Sequence, residues 1–166
     1  APLNRGAAAP CRGWSEARMG VEIERKFLVK KDRLPAELPE GDELEQGYLA
    51  TDPTVRVRLV AGHDGTRHAE LTIKGKGLLT RAEFNYPIPV EDAEALLRMS
   101  GRTLRKFRRR LGRFDLDHFR DRDLWLAEIE LRSEREGFER PAWLGDEVTQ
   151  DPAYSNSRLA TPRTPE

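Results

Sequence analysis

Six segments of this chain alternate apolar and ionic residues with a period of two, which restricts it to a sheet with one oily and one charged face. In Val21–Leu28, Glu22, Glu24 and Lys26 share one side, and Val21, Ile23 and Phe27 share the other with Arg25. Val55–Leu59 repeats the pattern with Arg56 and Arg58. Ala69–Lys74 opposes Glu70, Thr72 and Lys74 to Ala69, Leu71 and Ile73. Arg81–Ile88 opposes Arg81, Glu83 and Asn85 to Ala82, Phe84, Tyr86 and Ile88. Phe114–Phe119 sets Asp115 and Asp117 against Phe114 and Leu116, and Trp125–Leu131 sets Glu128 and Glu130 against Trp125, Ala127, Ile129 and Leu131.

The punctuation between these strands is that of an antiparallel meander: His63-Asp64-Gly65, then Gly75–Leu78, then Asp121-Arg122-Asp123. One helix interrupts it, Val90–Met99, with acidic residues in its first turn and Gly101 just past its end. A shorter helical or irregular segment is expected within Asp146–Leu159, broken by Pro152. Residues 1–18 lack either period and read as a disordered leader, with Met19 an alternative start; 19–160 form one domain and 161–166 a flexible tail.

The polar faces decide between two architectures. A sandwich would leave them in water. Their residues, however, are ionic and of both signs, strand after strand, with few Ser, Thr or Gln. Closing the sheet with its apolar face outward, partly covered by helices, gives a barrel with a charged lumen, whereas the opposite closure, apolar side inward, gives an ordinary barrel. The chain carries 29 Lys and Arg against 29 Asp and Glu, 35% of its residues, for a formal charge of zero. That balance argues against a chain built for non-specific nucleic-acid or membrane binding. No apolar run reaches membrane-spanning length, so a soluble, cytoplasmic protein is expected. A single cysteine, Cys11, excludes an internal disulfide and a Cys-cluster zinc site, and His63, His68 and His118 show no helical i, i+4 pairing. A bound metal would be a hard cation on oxygen ligands.

The lumen candidates are Lys26, Arg56, Arg58, Lys74, Arg81, Lys106 and Arg108, with Glu22, Glu24, Glu83, Asp117, Glu128 and Glu130. Converging cations need an anion and converging carboxylates need a metal, so a polyphosphate chelated by Mg²⁺ or Mn²⁺ satisfies both sets together. Arg105–Arg110 is basic with an aromatic inside, as in an RNA-binding stripe, but alternation splits it, with Lys106, Arg108 and Arg110 on one face.

Glu22-x-Glu24-x-Lys26 resembles the first-strand signature of the CYTH superfamily, the triphosphate tunnel metalloenzymes. Gly47-Tyr48-Leu49, Arg56-x-Arg58, Leu71-Thr72-Ile73-Lys74, Arg81-x-Glu83, Lys106-x-Arg108, Phe114-x-Leu116-Asp117-x-Phe119 and Glu128-x-Glu130 follow in the family's order. Trp143–Thr149 and Asp151–Asn156 resemble its short bacterial branch. The resemblance implies an α+β, mainly β fold: an eight-stranded antiparallel closed barrel, or tunnel, with a few flanking helices. It also implies metal-dependent hydrolysis of a triphosphate.

Carried over by motif, Glu22, Glu24, Glu128, Glu130 and Asp117 hold metal, Lys26, Arg56, Arg58, Lys74, Arg81, Lys106 and Arg108 grip phosphates, and Lys26 with Tyr48 forms a catalytic dyad. Asn85 departs from the family, which commonly has a second glutamate there. Among substrates, inorganic triphosphate comes first, because no aromatic clamp for a base or thiazole ring is evident. Thiamine or nucleoside triphosphates, a class IV adenylate cyclase activity, and a non-catalytic polyphosphate- or RNA-binding module are the alternatives. The expected partner is the small-molecule triphosphate, with neither nucleic acid nor membrane; a homodimer is left open.

Overall fold

A computed structural model describes residues 20–163. The expected leader, Met19 and the last three tail residues lie outside them. In chain order the elements are β1 (Glu22–Val29), β2 (Gly41–Thr51), β3 (Thr54–Ala61), β4 (Arg67–Lys74), β5 (Thr80–Arg81), β6 (Glu83–Ile88), α1 (Val90–Met99), β7 (Arg102–Leu111), β8 (Phe114–Phe119), β9 (Trp125–Glu130), β10 (Leu144–Glu147), α2 (Asn156–Leu159) and β11 (Thr161–Pro162).

The strands make one curled sheet in the order β10-β1-β9-β8-β7-β2-β3-β4-β6. Every ladder is antiparallel. Closure comes from β5, which pairs Arg81 with Glu22 and Thr80 with Ile23 on β1 and then continues through Ala82 into β6. With β5 and β6 taken as one interrupted strand, eight strands complete the ring. The second edge of β1 is therefore divided: its start takes β5, and Phe27 and Val29 take β10. Gly65 (φ 83°) and Gly112 (φ 61°) turn the β3–β4 and β7–β8 hairpins in the left-handed region, where a side chain would be strained.

The apolar faces point outward and are mostly covered, with Phe84 and Tyr86 of β6 left exposed. Ala93 and Leu97 of α1 pack on Val57, Leu59 and Ala69. The helix sits so close to β2 that a Cβ on Gly47 would lie 2.3 Å from Ser100 Oγ. Over β1, β8 and β9, the cover is not a helix but the irregular stretch after β9 and the start of β10, whose Phe138, Trp143 and Leu144 seal Phe27, Phe114, Leu116, Ala127 and Ile129. Burying these large side chains contributes on the order of 1.5–3 kcal/mol each, which lets the inner wall be ionic. At one end Leu159 and Ala160 pack with Tyr48, Leu104, Phe119 and Leu126.

Three sequence expectations are modified. Arg81–Ile88 is broken at Ala82, because its first residues serve β1 and the rest serve β4. β2 runs 11 residues, beginning well before the Gly47–Leu49 motif. Of the tail expected to be loose, Thr161 and Pro162 pair with Thr103 and Arg102.

Candidate active site

Alternation delivers the ionic residues of β1, β3, β4, β7, β8 and β9 to one lumen with two adjoining sections. The wider, of about 500 Å³, is lined by Glu22, Glu24, Arg58, Glu70, Glu83 and Arg108 among others. Lys26, Tyr48, Arg81, Thr149, Tyr154 and Ser155 are among the residues around the narrower one, of about 50 Å³. Glu24, Arg56, Lys74 and Asn156 belong to both, so the two sections are continuous.

Every sequence-derived cation here faces carboxylates, but not equally. Arg108 is the most committed: Nε and Nη2 donate to Asp117 at 2.6 and 2.7 Å, Nη2 also to Glu128 at 2.9 Å, and Nη1 to Asp115 at 2.9 Å. Burial opposes its charge, yet Asp117 and then Glu128 and Asp115 hold Arg108 well above the ordinary arginine value. Lys106 lines neither section. Fully buried, it donates to Asp117 Oδ2 at 2.6 Å and to Asn156 Oδ1 at 3.3 Å. Burial first, with Arg108 beside it, pulls Lys106 down to about 8. Lys74 sits between Glu22 (2.9 Å) and Glu83 (3.1 Å), and Arg81 reaches Glu22 at 3.1 Å. Against burial, Lys74 and Arg81 keep Glu22 ionised, well below the usual carboxylate range.

The arginines of β3 differ. Arg56 Nη2 lies 2.8 Å and Arg58 Nη1 3.3 Å from the same oxygen, Glu70 Oε1, so two guanidiniums share one carboxylate. Arg56 Nη2 also donates to Thr72, and Arg58 Nε to Gln46. Arg56 Nε is buried without an acceptor. Burial, Arg56 and Arg108 together pull Arg58 down to about 10.

On the acidic side, Glu24 is pushed up to about 8 by burial and then by Glu128 and Glu22. Glu128 is the reverse: burial is outweighed by Lys106, Lys26 and Arg108, and it stays ionised. Its Oε1 is buried without a hydrogen-bond donor, with Lys26 Nζ at 3.4 Å. Glu130 stands opposite Glu24 across β1 and β9 and lines the wide section. Asp117 is placed differently from a free ligand, since Lys106 and Arg108 occupy both its oxygens. Among the described residues no ready-made group of three or more His, Cys, Asp or Glu could hold a metal.

Lys26 and Tyr48 line the same narrow section. Lys26 Nζ donates to the Tyr154 carbonyl at 3.0 Å; burial opposes its charge, but Glu128, Glu24 and Asp117 raise it. Tyr48 Oη accepts from Gln46 Nε2 at 3.1 Å, and burial raises the phenol in spite of Arg56, Arg58 and Lys26.

Several participants were not singled out as site residues. Glu70 and Thr72 fall on the charged face of their strand, so alternation had already aimed them inward, and Asp115 has the same signal on β8. Asn85, where the family carries a glutamate, accepts from Thr72 and donates to Glu83. Asn156 and the Tyr154 carbonyl come from the C-terminal segment, which has no period to announce them. Trp125 stacks on His118, and Trp143 belongs to the outer core, so neither lines the lumen.

The molecule is thus a closed antiparallel β-tunnel whose inner wall gathers cations and carboxylates. The CYTH domain matches residues 20–158, and the chain belongs to that family. Inorganic triphosphatases of Acetivibrio thermocellus and Nitrosomonas europaea are 36% and 38% identical to it over 150 and 155 residues. These alignments span 85% and 84% of this chain and 94% and 97% of theirs. A solved structure of an inorganic triphosphatase aligns with a TM-score of 0.54 at 32% identity, covering 84% of this chain and 93% of that one. The family implies a divalent metal. The donors fit one: hard carboxylate oxygens, with Glu24 crowded by like charge and a buried oxygen on Glu128 that accepts no hydrogen bond.

Proposed function

We propose that this protein hydrolyses inorganic triphosphate to pyrophosphate and phosphate inside the tunnel, with Mg²⁺ or Mn²⁺ as cofactor. The observation that carries the reading is the under-neutralised arginine pair. Arg56 and Arg58 have one carboxylate between them, and the buried Nε of Arg56 lacks an acceptor that a phosphate oxygen would provide. Lys74, Arg81 and Lys26 extend the cationic wall through both sections; among the described residues the wide section has no Trp, Phe or Tyr in its lining, and the aromatics of the narrow one are Tyr48 and Tyr154.

Glu24 and Glu128 are the primary metal ligands, with Glu22 and Glu130 beside them. A divalent cation there supplies charge neutralisation on the phosphates and lowers the pKa of a water. Asp117 serves this centre indirectly, fixing Lys106 and Arg108. Arg56 and Arg58 orient the phosphate chain and stabilise the charge that develops on its oxygens. Lys26 stays protonated and presents its ammonium to the phosphate beside Tyr48. Tyr48 keeps its proton at neutral pH because burial outweighs its cationic neighbours, so it acts as a hydrogen-bond donor to the substrate and not as a base.

The test is phosphate release from inorganic triphosphate, ATP and thiamine triphosphate with Mg²⁺, Mn²⁺ or chelator, with cyclic AMP formation measured alongside. Inorganic triphosphate should be cleaved only with metal, and Lys26→Ala and Glu24→Ala should each lower kcat by about 10² or more. Undiminished hydrolysis in both variants, or tight binding of long polyanions without phosphate release, would overturn the proposal.

A further inference from the structure

Glu70 is the carboxylate that Arg56 and Arg58 share. It projects from β4 onto Arg56 and Arg58, lines the wide section, and puts a single oxygen, Oε1, against both guanidiniums. Two of the other wall cations have more carboxylate partners, Arg108 with three and Lys74 with two; Arg81 shares Glu22 with Lys74, and Lys26 pairs with Glu128 at 3.4 Å and donates to the Tyr154 carbonyl. The Arg56–Arg58 pair is set apart by having one carboxylate oxygen between two guanidiniums and a buried Nε on Arg56 without an acceptor, so an entering anion would exchange with Glu70 there.

We infer that Glu70 is a tethered competitor for the Arg56–Arg58 anion site, a positioning residue that keeps this site exchangeable so that polyphosphate products leave. The inference rests on the proposed triphosphatase reading and goes beyond it. Without a counter-ion the arginines would repel each other in an empty tunnel, and with too strong a one substrate could not displace it. Sharing one oxygen between two guanidiniums, one of them at 3.3 Å, gives an intermediate hold. Thr72 and Gln46 retain Arg56 and Arg58 by other hydrogen bonds while Glu70 swings aside, so the site keeps its shape through the exchange. Binding that is equally tight for substrate and product slows turnover without helping the chemical step, and Glu70 limits it.

The experiment is calorimetric titration of pyrophosphate into the wild-type protein, Glu70→Gln and Glu70→Asp, with steady-state kinetics on inorganic triphosphate in parallel. Glu70→Gln keeps the shape and removes the charge. It should bind pyrophosphate about tenfold tighter, the scale of one charge-assisted hydrogen bond, and lower KM and kcat together. Glu70→Asp keeps the negative charge but withdraws it from the arginines, so its affinity should fall between those of wild type and Glu70→Gln. Unchanged or weaker binding in Glu70→Gln, or an unchanged affinity in Glu70→Asp should the first variant not fold, overturns the inference while leaving the triphosphatase reading intact. Failure of wild type and variants alike to bind pyrophosphate or triphosphate overturns both.

Discussion

Replacing Lys106 by Met should stabilise the protein at pH 7 while impairing its activity. The ammonium is fully buried, and a fall from 10.5 to about 8 corresponds to at most about 3 kcal/mol of folding free energy lost by keeping it charged. Its removal leaves no buried acceptor bare, because Arg108 still donates to both oxygens of Asp117 and Asn156 faces the lumen. A methionine also suits the contact that Lys106 Nζ makes 5.7 Å from the Phe119 ring centroid. Loss of one cation near Glu128 offsets part of the gain, so a net of about 1–3 kcal/mol is expected. At this chain length that raises Tm by roughly 2–4 °C per kcal/mol. The sign is checked by pH. A lysine depressed on folding costs its full penalty below pH 8, and the penalty fades as pH rises toward 10.5, because the unfolded chain then binds more protons. Thermal melts at pH 7 and pH 9.5 should show the variant ahead at the lower pH, with the gap narrowing at the higher. A variant that melts below wild type at pH 7, or a gap that widens with pH, would refute the reasoning.

Asp117→Asn should do the opposite. It leaves the buried Lys106 without its carboxylate and beside Arg108, which keeps Asp115 and Glu128, costing about 3–5 kcal/mol, which urea denaturation monitored by circular dichroism will measure. Glu24 supplies a pH signature of the metal. Its folded value of about 8 lies above the ordinary 4.5, so its contribution to stability is complete below pH 4.5 and is lost as pH rises toward 8. In chelator, Tm should fall across that window; Mg²⁺ should restore it most strongly near pH 8, and Glu24→Gln should flatten both trends.

Period-two alternation carried the inner wall: once Glu22, Glu24 and Lys26 share a face, pairing β1 with β9 brings Glu128 and Glu130 beside them whatever the loops do. The ionic character of that face marked the lumen as a place for charged ligands. What a strand pattern cannot contain is which cation each carboxylate takes. Asp117 and Glu24 look equivalent in the sequence, yet one is enclosed by Lys106 and Arg108 and the other is left among carboxylates, because register and curvature set those neighbours. Closure was hidden in the same way. The break at Ala82 that hands Arg81 to β1 and Glu83 to β4 follows from the geometry of joining two sheet edges, and it brings Arg81 within reach of Glu22. The C-terminal contribution was the least legible, since Tyr154 acts on Lys26 through a backbone carbonyl that every residue type carries. Residue type therefore identified the kinds of group in the lumen, and tertiary pairing decided which remain available: most wall charges neutralise one another, leaving Arg56, Arg58 and Glu24 as the positions where added charge, from phosphate or metal, would be best received.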